Sequence, residues 1–523
     1  MENTVIYYLS GKLDKDSVVL RKNQQKNIEH LKSISKKFHD EADLRQCQNS
    51  PVSEKLLVLE SGHQPNFLPY PGVWKKAFLL HQIKEYLNAT GYDAIAIFGF
   101  ADQNLSTAKL LYENKIPAVN KQGSKKFGIK IPVTEKWKCF NAISKPTKDI
   151  WERELDDLKC YYLQYLPRSD TDALPFLNNI DILTEILNTC YSRAANRADL
   201  NAFIFARLCQ ELFNLSVYFF RYSDIQRNKL FLDEGKKILD SLPAFTSVYN
   251  DTINKKQLNL PQISSGFFPF WYHCTCGMKV ALSADTKSGF KGCCPVCKTE
   301  FFLDPVSDNL ADHMKNMGLS AVARNIIFSE GLGTRLFISG PGGGLRYGKI
   351  ANEISRKLLM NIPLTLSWHS RDYYIGVIHK LALKDMMRIF NLTHKDMISG
   401  SYNEKITRFR TSLLDQIEIL QQNPQKKKEL DKYSGLYRSS AKQLMITKKT
   451  FSTIPSIIDL LVNFDASIII HEWNAALNYA EIQDSGEIVL LKKDIIYSQA
   501  NVPGFTFPDI PRIYHSLELI NEV

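Results

Sequence analysis

Two strand–helix–strand patterns, far apart in the chain, constrain the fold most. They span residues 55–100 and 335–368, and each combines two short apolar strands with an amphipathic helix between them. Such a unit joins parallel strands through a right-handed crossover. The sequence therefore predicts an α/β fold with a parallel-sheet core. The predicted strands are 55–60, 93–100, 335–339 and 363–368, and the predicted helices are 73–88 and 345–360.

A cysteine cluster lies between these units, because five of the ten cysteines fall within residues 274–297. Two short cysteine turns, separated by a segment of hairpin length, can place four thiolates about 3.7 Å apart around one tetrahedral zinc ion. A closed four-thiolate site is normally structural, although capture of a substrate thiolate by the zinc stays open. Cys293 can replace Cys294 in this set or stay free. The predicted zinc ligands are Cys274, Cys276, Cys294 and Cys297.

A proline-rich loop at residues 62–72 follows the first predicted strand. Ligands of open parallel sheets bind beyond the carboxyl ends of the strands, and a stiff polar loop there is a candidate pocket. A rigid turn whose histidine only caps the next helix is the alternative. The candidate residues of this loop and the following helix are His63, Gln64, Asn66, Tyr70, Gly72 and Lys75.

A glycine-rich loop follows the first strand of the second unit and opens directly into a helix. Free backbone N–H groups at a helix start bind anions, and glycine allows their close approach. The glycine spacing matches neither a Walker loop nor a dinucleotide fingerprint, so a tight turn is an equal alternative. His369 and Arg371, after the next strand, would lie at the same sheet edge. The loop and helix candidates are Ser339, Gly340, Pro341, Gly342, Gly343, Gly344 and Tyr347.

Together the two loops resemble motifs of the bacillithiol-biosynthesis cysteine-adding enzymes. Residues 62–77 resemble the opening Gly-Gln-Gln loop of that family, which leads through a Gly-Pro-Leu-Tyr turn into a Tyr-Lys-Ala helix. Residues 337–342 with Tyr347 resemble its later Gly-Gly-Pro-Gly-Glu motif, and residues 369–371 lie near its Pro-Arg pair. Residues 63–69 also show a weaker, local similarity to the WbqC-like family.

The resemblance implies a Rossmann-like core, akin to nucleotidyltransferases and class I synthetases, with a coiled-coil appendage. It also implies a ligase that joins cysteine, or another amino acid, to a small amine-bearing acceptor such as an amino sugar conjugate. Activation of a carboxylate for this reaction requires ATP or a related nucleotide. His63, Gln64 and Asp102 would bind the amino acid or move protons, while the glycine-rich loop and Arg371 would hold phosphate. His369 would act at the same catalytic edge.

The same features predict how the chain is divided. A helical pair that breaks at a proline would form an architectural arm or a homodimer contact. The predicted parts are a helical lead-in (1–54), a first core part with a helical insert (55–250), a zinc module (262–305), a second core part (306–400), a helical hairpin (401–450) and a C-terminal packing segment (451–523).

The charge of the chain suggests a different class of function. The net charge is +11, and much of the excess lies in runs at 21–37, 121–130 and 426–432. Such basic runs can bind nucleic acid, with the zinc module contributing to the binding surface. Short dispersed runs are also typical of solvated helix faces. The alternative prediction is a zinc-containing nucleic-acid-binding or RNA-modification protein, and a third is a scaffold without activity.

The sequence also bears on localisation. The first residues lack the basic start and apolar run of an export signal, and charged residues interrupt the most apolar stretch, 454–477. A spanning helix needs about 20 mostly apolar residues. Single cysteines scattered along a chain without an export signal are typical of a reducing compartment. We therefore expect a cytoplasmic protein without a membrane span.

Overall fold

The computed structural model describes residues 4–14, 19–47, 51–165, 170–284, 289–304, 310–498 and 509–519. The strands are β1 (Leu57–His63), β2 (Ala94–Phe100), β3 (Asn114–Pro117), β4 (Ser124–Phe127), β5 (Tyr218–Arg221), β6 (Phe267–His273), β7 (Lys279–Ala284), β8 (Phe290–Cys293), β9 (Glu300–Leu303), β10 (Met317–Leu319), β11 (Thr334–Ser339), β12 (Leu364–His369), β13 (Asp372–Tyr374), β14 (Glu481–Asp484), β15 (Ile488–Lys492) and β16 (Ile495–Tyr497).

Helices make up most of the remaining described chain. They are α1 (Thr4–Asp14), α2 (Lys22–Ala42), α3 (Pro71–Ala89), α4 (Lys148–Leu163), α5 (Asp170–Arg193), α6 (Arg197–Glu211), α7 (Tyr222–Arg227), α8 (Leu232–Asp240), α9 (Leu242–Lys255), α10 (Leu310–Met314), α11 (Ala321–Leu332), α12 (Gly343–Lys357), α13 (Val377–Phe390), α14 (His394–Ser399), α15 (Tyr402–Gln421), α16 (Lys427–Ser452), α17 (Ile457–Asn463), α18 (Ala466–Asn478) and α19 (Asp509–Leu519).

A seven-stranded sheet forms the core, in the order β14-β15-β12-β11-β1-β2-β5. Every neighbouring pair in it is parallel except β14 and β15. β1 and β11 pair directly, so the two strand–helix–strand units that are far apart in sequence share one sheet. The prediction of an α/β fold with a mostly parallel sheet is confirmed.

Alternation of side chains explains why the central strands have almost continuous apolar sequences. All seven residues of β2 are buried. Ala96 and Phe98 pack into the core on one face of the sheet, while Ile95 and Ile97 pack into the core on the other. A parallel strand covered on both faces needs apolar residues at every position, which removes the usual polar alternation.

Helices on both faces complete these two cores. α3 covers one face with Trp74 and Phe78, and α11 and α12 cover the other with residues such as Ile327 and Ile350. Each of these side chains is fully buried. The layered arrangement leaves the carboxyl edge of the sheet as the place where loops from distant parts of the chain meet.

The C-terminal segment, predicted only as a packing segment, also extends the main sheet. β15 pairs in parallel with β12 and in antiparallel with β14. Val489 and Leu491 alternate inward along β15 and are fully buried. An alternating pattern over only five residues gives a weak signal in the sequence, so this strand was not predicted.

The cysteine-rich segment forms a separate antiparallel sheet in the order β10-β6-β7-β8-β9. Its outer strand β10 comes from residues 317–319, beyond the predicted module boundary at residue 305. β10 then leads through the N-cap residue Ser320 into α11, which packs on the main sheet. The cysteine-rich sheet and the core are therefore connected by a continuous strand and helix.

The predicted helical pair corresponds to α15 and α16, which pack along each other and join through a turn at residues 424–426. α16 also packs against α13. The apolar stretch at 454–477 is divided between α17 and α18. Among the helices in the described ranges, none has the length and apolarity needed to cross a bilayer.

Candidate functional site

The carboxyl ends of β1, β2, β11 and β12 lie side by side along one edge of the main sheet. His63 pairs with Phe100 across β1 and β2, and Ser339 pairs with Ser367 across β11 and β12. β1 was expected to end at Glu60, but its pairing with β2 continues to His63. His63 is therefore the last residue of β1, and the strand fixes the position of its imidazole. The two predicted loops meet at this edge.

The proline-rich loop after β1 is fixed by buried amide side chains. Asn114 Nδ2 donates to the carbonyls of Phe67 and Leu68, and Asn201 Nδ2 donates to the carbonyl of Pro65. Both asparagines are almost completely buried. Such bonds satisfy the loop carbonyls without water, so the loop is pre-organised before any ligand binds.

Tyr222, which the sequence did not single out, packs against the ends of β1 and β2. Its ring leaves no space for a side chain at Gly62 or Gly99, because a Cβ at Gly99 would lie 2.6 Å from the tyrosine Cζ. Tyr222 is buried. The two glycines are therefore required for the close approach of this ring to the sheet edge.

Lys76 connects the two predicted loops. It lies in the first turns of α3, and its Nζ donates to the carbonyl of Gly62 at 3.2 Å. A Cβ placed on Gly340 of the glycine-rich loop would lie 3.5 Å from the Lys76 Cε. Burial, assisted by the positive charge of Arg324, lowers the pKa of Lys76 to about 8. The ammonium group therefore stands beside Gly340 of the glycine-rich loop, with no carboxylate within ion-pair distance among the described residues.

Lys75 was the predicted lysine of this site, but its ammonium group is engaged elsewhere. Its Nζ donates to Ser370 Oγ at 2.6 Å and to the carboxylate of Asp372 at 3.0 and 3.1 Å. The side chain is almost completely buried. Lys75 therefore holds α3 against the loop after β12, and the adjacent Lys76 faces the glycine-rich loop instead.

Arg324 is a second cation at this edge that the sequence did not single out. It lies on α11, with its guanidinium 4.8 Å from the centre of the Tyr222 ring. In the part of the chain that the structure describes, its side chain has no hydrogen-bond acceptor and no carboxylate within ion-pair distance, although its charge acts on the buried carboxyl group of Glu60. A half-buried guanidinium with free donors is a binding group for carboxylate or phosphate.

His63 is held as a neutral imidazole by these neighbours. Burial lowers its pKa to about 3, and the charges of Lys76 and Arg324 act in the same direction. Its Nδ1 lies 2.9 Å from the carbonyl of Gln64, which can only accept, so Nδ1 carries the proton. Nε2 is then a hydrogen-bond acceptor, suited to an amine or ammonium group.

The glycine-rich loop keeps the geometry of an anion site. α12 begins at Gly343, and its N-cap residue Gly342 provides no side-chain cap for the first N–H groups. A Cβ on Gly344 would overlap the hydroxyl of Ser339, whereas one on Gly342 would meet nothing within 4 Å. Pro341 and Gly342 are exposed. The first N–H groups of the helix are therefore open to a ligand.

Asp102 lies behind this edge as a buried carboxyl group. It accepts from the backbone N–H of Ser223 at 3.1 Å and from Asn141 Nδ2 at 3.2 Å. Burial raises its pKa to about 6, partly offset by hydrogen bonds from Ser223 and by the charge of Arg221. It holds the loop after β2 against α7, and its side chain is buried rather than open to a substrate.

The other predicted residues divide between the edge and the surface. Asn66 Oδ1 and His369 Nε2 are buried polar atoms without hydrogen-bond partners in the described ranges. Gln64 and Gly72 are half-buried, and Tyr70 is exposed with its ring against Gly72. Tyr347, on α12, packs against the second core. A buried acceptor without a partner is costly unless a ligand satisfies it.

The side chain of Arg371 is engaged by α19 and the adjacent aromatic rings. Its Nη2 lies 2.5 Å from Glu518 of α19, and its guanidinium lies 5.0 and 5.6 Å from the rings of Tyr373 and Tyr514. The predicted phosphate-binding role therefore has no support from its position. The order of residues after β12 places Arg371 near the edge, but the direction of its side chain depends on a distant helix.

We expect the substitution Arg371→Ala to loosen α19 without loss of ligand binding. Loss of a half-exposed ion pair and two ring contacts should lower the free energy of local opening by about 1 kcal/mol. Native-state hydrogen exchange of residues 509–519 would measure this change. A loss of nucleotide affinity with unchanged exchange in α19 would contradict the structural role.

The four predicted zinc-binding cysteines converge. Their Sγ atoms all lie within 4.8 Å of one another, with 3.3 Å between Cys274 and Cys297 and 3.6 Å between Cys276 and Cys294. Cys293 is exposed, with its Sγ 3.7 Å from the carbonyl of Lys298, and is not in the group. The four thiols can therefore hold a metal ion such as zinc, and the alternative with Cys293 is not supported.

The first cysteine turn docks on the segment that follows β4, and a β-bridge between Leu105 and Cys139 connects this segment to the loop after β2. The N–H of Cys139 donates to the carbonyl of Gly277 at 2.7 Å, and Lys138 forms a β-bridge with Met278. Gly277 has φ +95°, which a glycine adopts without strain. The metal-binding module is therefore at the rim of the sheet edge that carries His63 and Lys76.

Comparison with known proteins adds no further assignment, because neither the protein-family models nor the curated proteins give a significant match.

Proposed function

We propose that the chain is a nucleotide-dependent ligase that forms an amide bond between cysteine, or another amino acid, and a small amine-bearing acceptor. The observation that carries the proposal is Lys76 beside the glycine-rich loop that leads into the uncapped start of α12, with Arg324 close enough to act on the pKa of Lys76. The same proposal includes a Rossmann-like identity for the parallel core and a coiled coil formed by α15 and α16. The motif resemblance to the cysteine-adding enzymes provides the reaction class.

The cations would act on phosphate. In such a reaction a carboxylate oxygen attacks a phosphorus atom of ATP, and either diphosphate or ADP leaves. The amine then attacks the activated carbonyl carbon, and AMP or phosphate leaves with formation of the C–N bond. Lys76, Arg324 and the N–H groups of Gly343 and Gly344 would stabilise the charge that develops on the phosphate oxygens.

His63 would act on the amine. The attacking nitrogen must be uncharged and must lose a proton as the amide forms. The Nε2 atom of the neutral imidazole can accept a hydrogen bond from this nitrogen and orient it. A bound phosphate would offset the positive charges of Lys76 and Arg324 and so raise the pKa of His63 toward its ordinary value.

The substitution Gly343→Val tests the glycine-rich loop. A Cβ at this position would meet only the Tyr347 ring, at 3.6 Å, so the fold should tolerate the change. The branched side chain should block the first N–H groups of α12 and abolish ATP binding in calorimetry. The control is Gly348→Ala in the same helix, where a Cβ meets nothing within 4 Å. Wild-type affinity in Gly343→Val would show that the loop is only a turn.

The decisive experiment supplies the protein with ATP, cysteine and a metabolite extract. Mass spectrometry should detect a new thiol-bearing product together with AMP or ADP. A parallel titration with RNA at increasing salt tests the alternative function, because phosphate-backbone binding weakens steeply with salt. Tight, salt-sensitive RNA binding without product would favour the nucleic-acid-binding protein over the ligase.

A further inference from the structure

The seam between the metal-binding module and the main sheet contains a third cation, Lys279. It is the first residue of β7, directly after the first cysteine turn, and pairs with His273 across the strands. Its Nζ lies 4.9 Å from the centre of the Trp271 ring. The turn just before it is the part of the module that bonds to Cys139, so Lys279 stands where the module meets the core.

A continuous path of backbone contacts connects Lys279 to Arg324. Trp271, which lies under the Lys279 ammonium, pairs with Gly318 of β10. β10 then leads through Ser320 into α11, where Arg324 lies in the second turn. The N–H of Ser320 donates to the carbonyl of Pro269 on β6 and so fixes this path. The module and the core therefore position the two cations jointly.

Close packing at Gly318 also brings the module against the loop after β2. A Cβ there would lie 2.6 Å from the ring of His273 and 3.5 Å from Oε1 of Gln103, which follows Asp102 at the end of β2. His273 Nε2 is buried without a partner in the part of the chain that the structure describes. The seam thus brings polar groups of the module against the loop after β2.

Arg324 interacts electrostatically with each of the other basic groups at this edge. Its charge contributes to the lowered pKa of Lys76, of His63 and of Lys279. For Lys279, burial is the largest cause; Cys139 opposes it and Arg324 adds to it, and the pKa is lowered to about 8. In the described ranges, neither Lys279 nor Arg324 has a carboxylate partner within ion-pair distance. Three cations without a carboxylate at ion-pair distance among the described residues repel one another, and a ligand with several negative charges would offset this repulsion.

We infer that the metal-binding module is part of the active site, and that Lys279 binds the di- or triphosphate group of the nucleotide together with Lys76 and Arg324. This inference rests on the proposed function. A single carboxylate or phosphomonoester would neutralise only part of this cluster, whereas a polyphosphate presents several oxygens along its length. The module therefore contributes to specificity for the polyphosphate as well as to stability.

The test compares ATP, AMP and inorganic pyrophosphate as ligands of the full-length, metal-loaded protein. Lys279→Ala should weaken ATP and pyrophosphate binding roughly tenfold to hundredfold, as expected for loss of one charged hydrogen bond. AMP binding should change much less. The matched control is Lys291→Ala, which removes an exposed lysine from the adjacent strand of the same module and should leave all three affinities unchanged.

Metal content and thermal stability are measured for each variant, so that a loss of binding is assigned to the side chain and not to loss of the module. Lys279→Gln, which keeps most of the stem without the charge, should behave as Lys279→Ala. Wild-type polyphosphate affinity in both Lys279 variants would overturn this inference alone. Failure of the wild-type protein to bind ATP or pyrophosphate would overturn the proposed function with it.

Discussion

Replacement of Cys276 or Cys297 with serine is expected to release the bound metal and to unfold the cysteine end of the module. Wild-type protein purified under reducing conditions should contain about one zinc ion per chain. A structural zinc ion contributes on the order of 10 kcal/mol in small thiolate sites, and loss of one of four ligands removes much of it. Metal analysis and limited proteolysis of residues 262–305 would measure the two effects.

The cysteine end of the module depends on the metal because the core around the thiols is small, whereas Phe268, Phe270 and Leu303 of the module pack into the larger second core. Around the four thiols, the buried residues are Cys274, Val280 and Cys294, and two of these three are themselves ligands. Cys293→Ser is the matched control, since this exposed cysteine lies outside the cluster and its loss should change neither metal content nor stability. Absence of metal from freshly reduced wild-type protein would end the assignment.

Lys76→Met and His63→Ala should each lower product formation by orders of magnitude without unfolding the protein. Lys76→Met keeps the volume of the stem but removes the charge beside the glycine-rich loop. His63→Ala removes the acceptor at the end of β1. The double variant should lose little more than either single variant, because groups that act in one transition state have non-additive effects. Initial rates and ATP affinity should be measured for all three variants.

A control on the same helix separates the site from the helix itself. Lys84 of α3 also donates to a backbone carbonyl, that of Ser216, at 3.0 Å. Lys84→Met should therefore have a similar structural cost to Lys76→Met but should retain activity. Equal losses in both lysine variants would indicate a packing role for Lys76. Fully additive losses in the Lys76 and His63 double variant would show that these residues do not share one step.

Local sequence patterns determined the parallel core and the metal-binding group. The strands that carry His63 and Ser339 are short apolar runs next to helices, and this connectivity permits only a parallel crossover. The strand boundaries moved by one to three residues, and β1 continued to His63 because pairing with β2 extends that far. The cysteines of the metal-binding group were equally predictable, because each pair is close in sequence and a turn alone brings its two thiols together.

Which side chains face the sheet edge was decided by the tertiary structure. Lys75 and Lys76 are adjacent in sequence, but Asp372 engages the first and leaves the second beside Gly340. Arg371 follows β12 as predicted, but its guanidinium pairs with Glu518 of α19. Each of these outcomes depends on a residue far away along the chain, and no local pattern encodes such a contact.

The same reason explains the cations that sequence analysis missed. Arg324 lies in an ordinary helix, and Lys279 lies in the hairpin between two cysteine turns, so neither has a motif around it. They approach the same edge only because β10 joins the sheet of the module and continues into α11 on the core. Periodicity and short-range spacing determine which elements form, whereas the packing of those elements determines which charges meet.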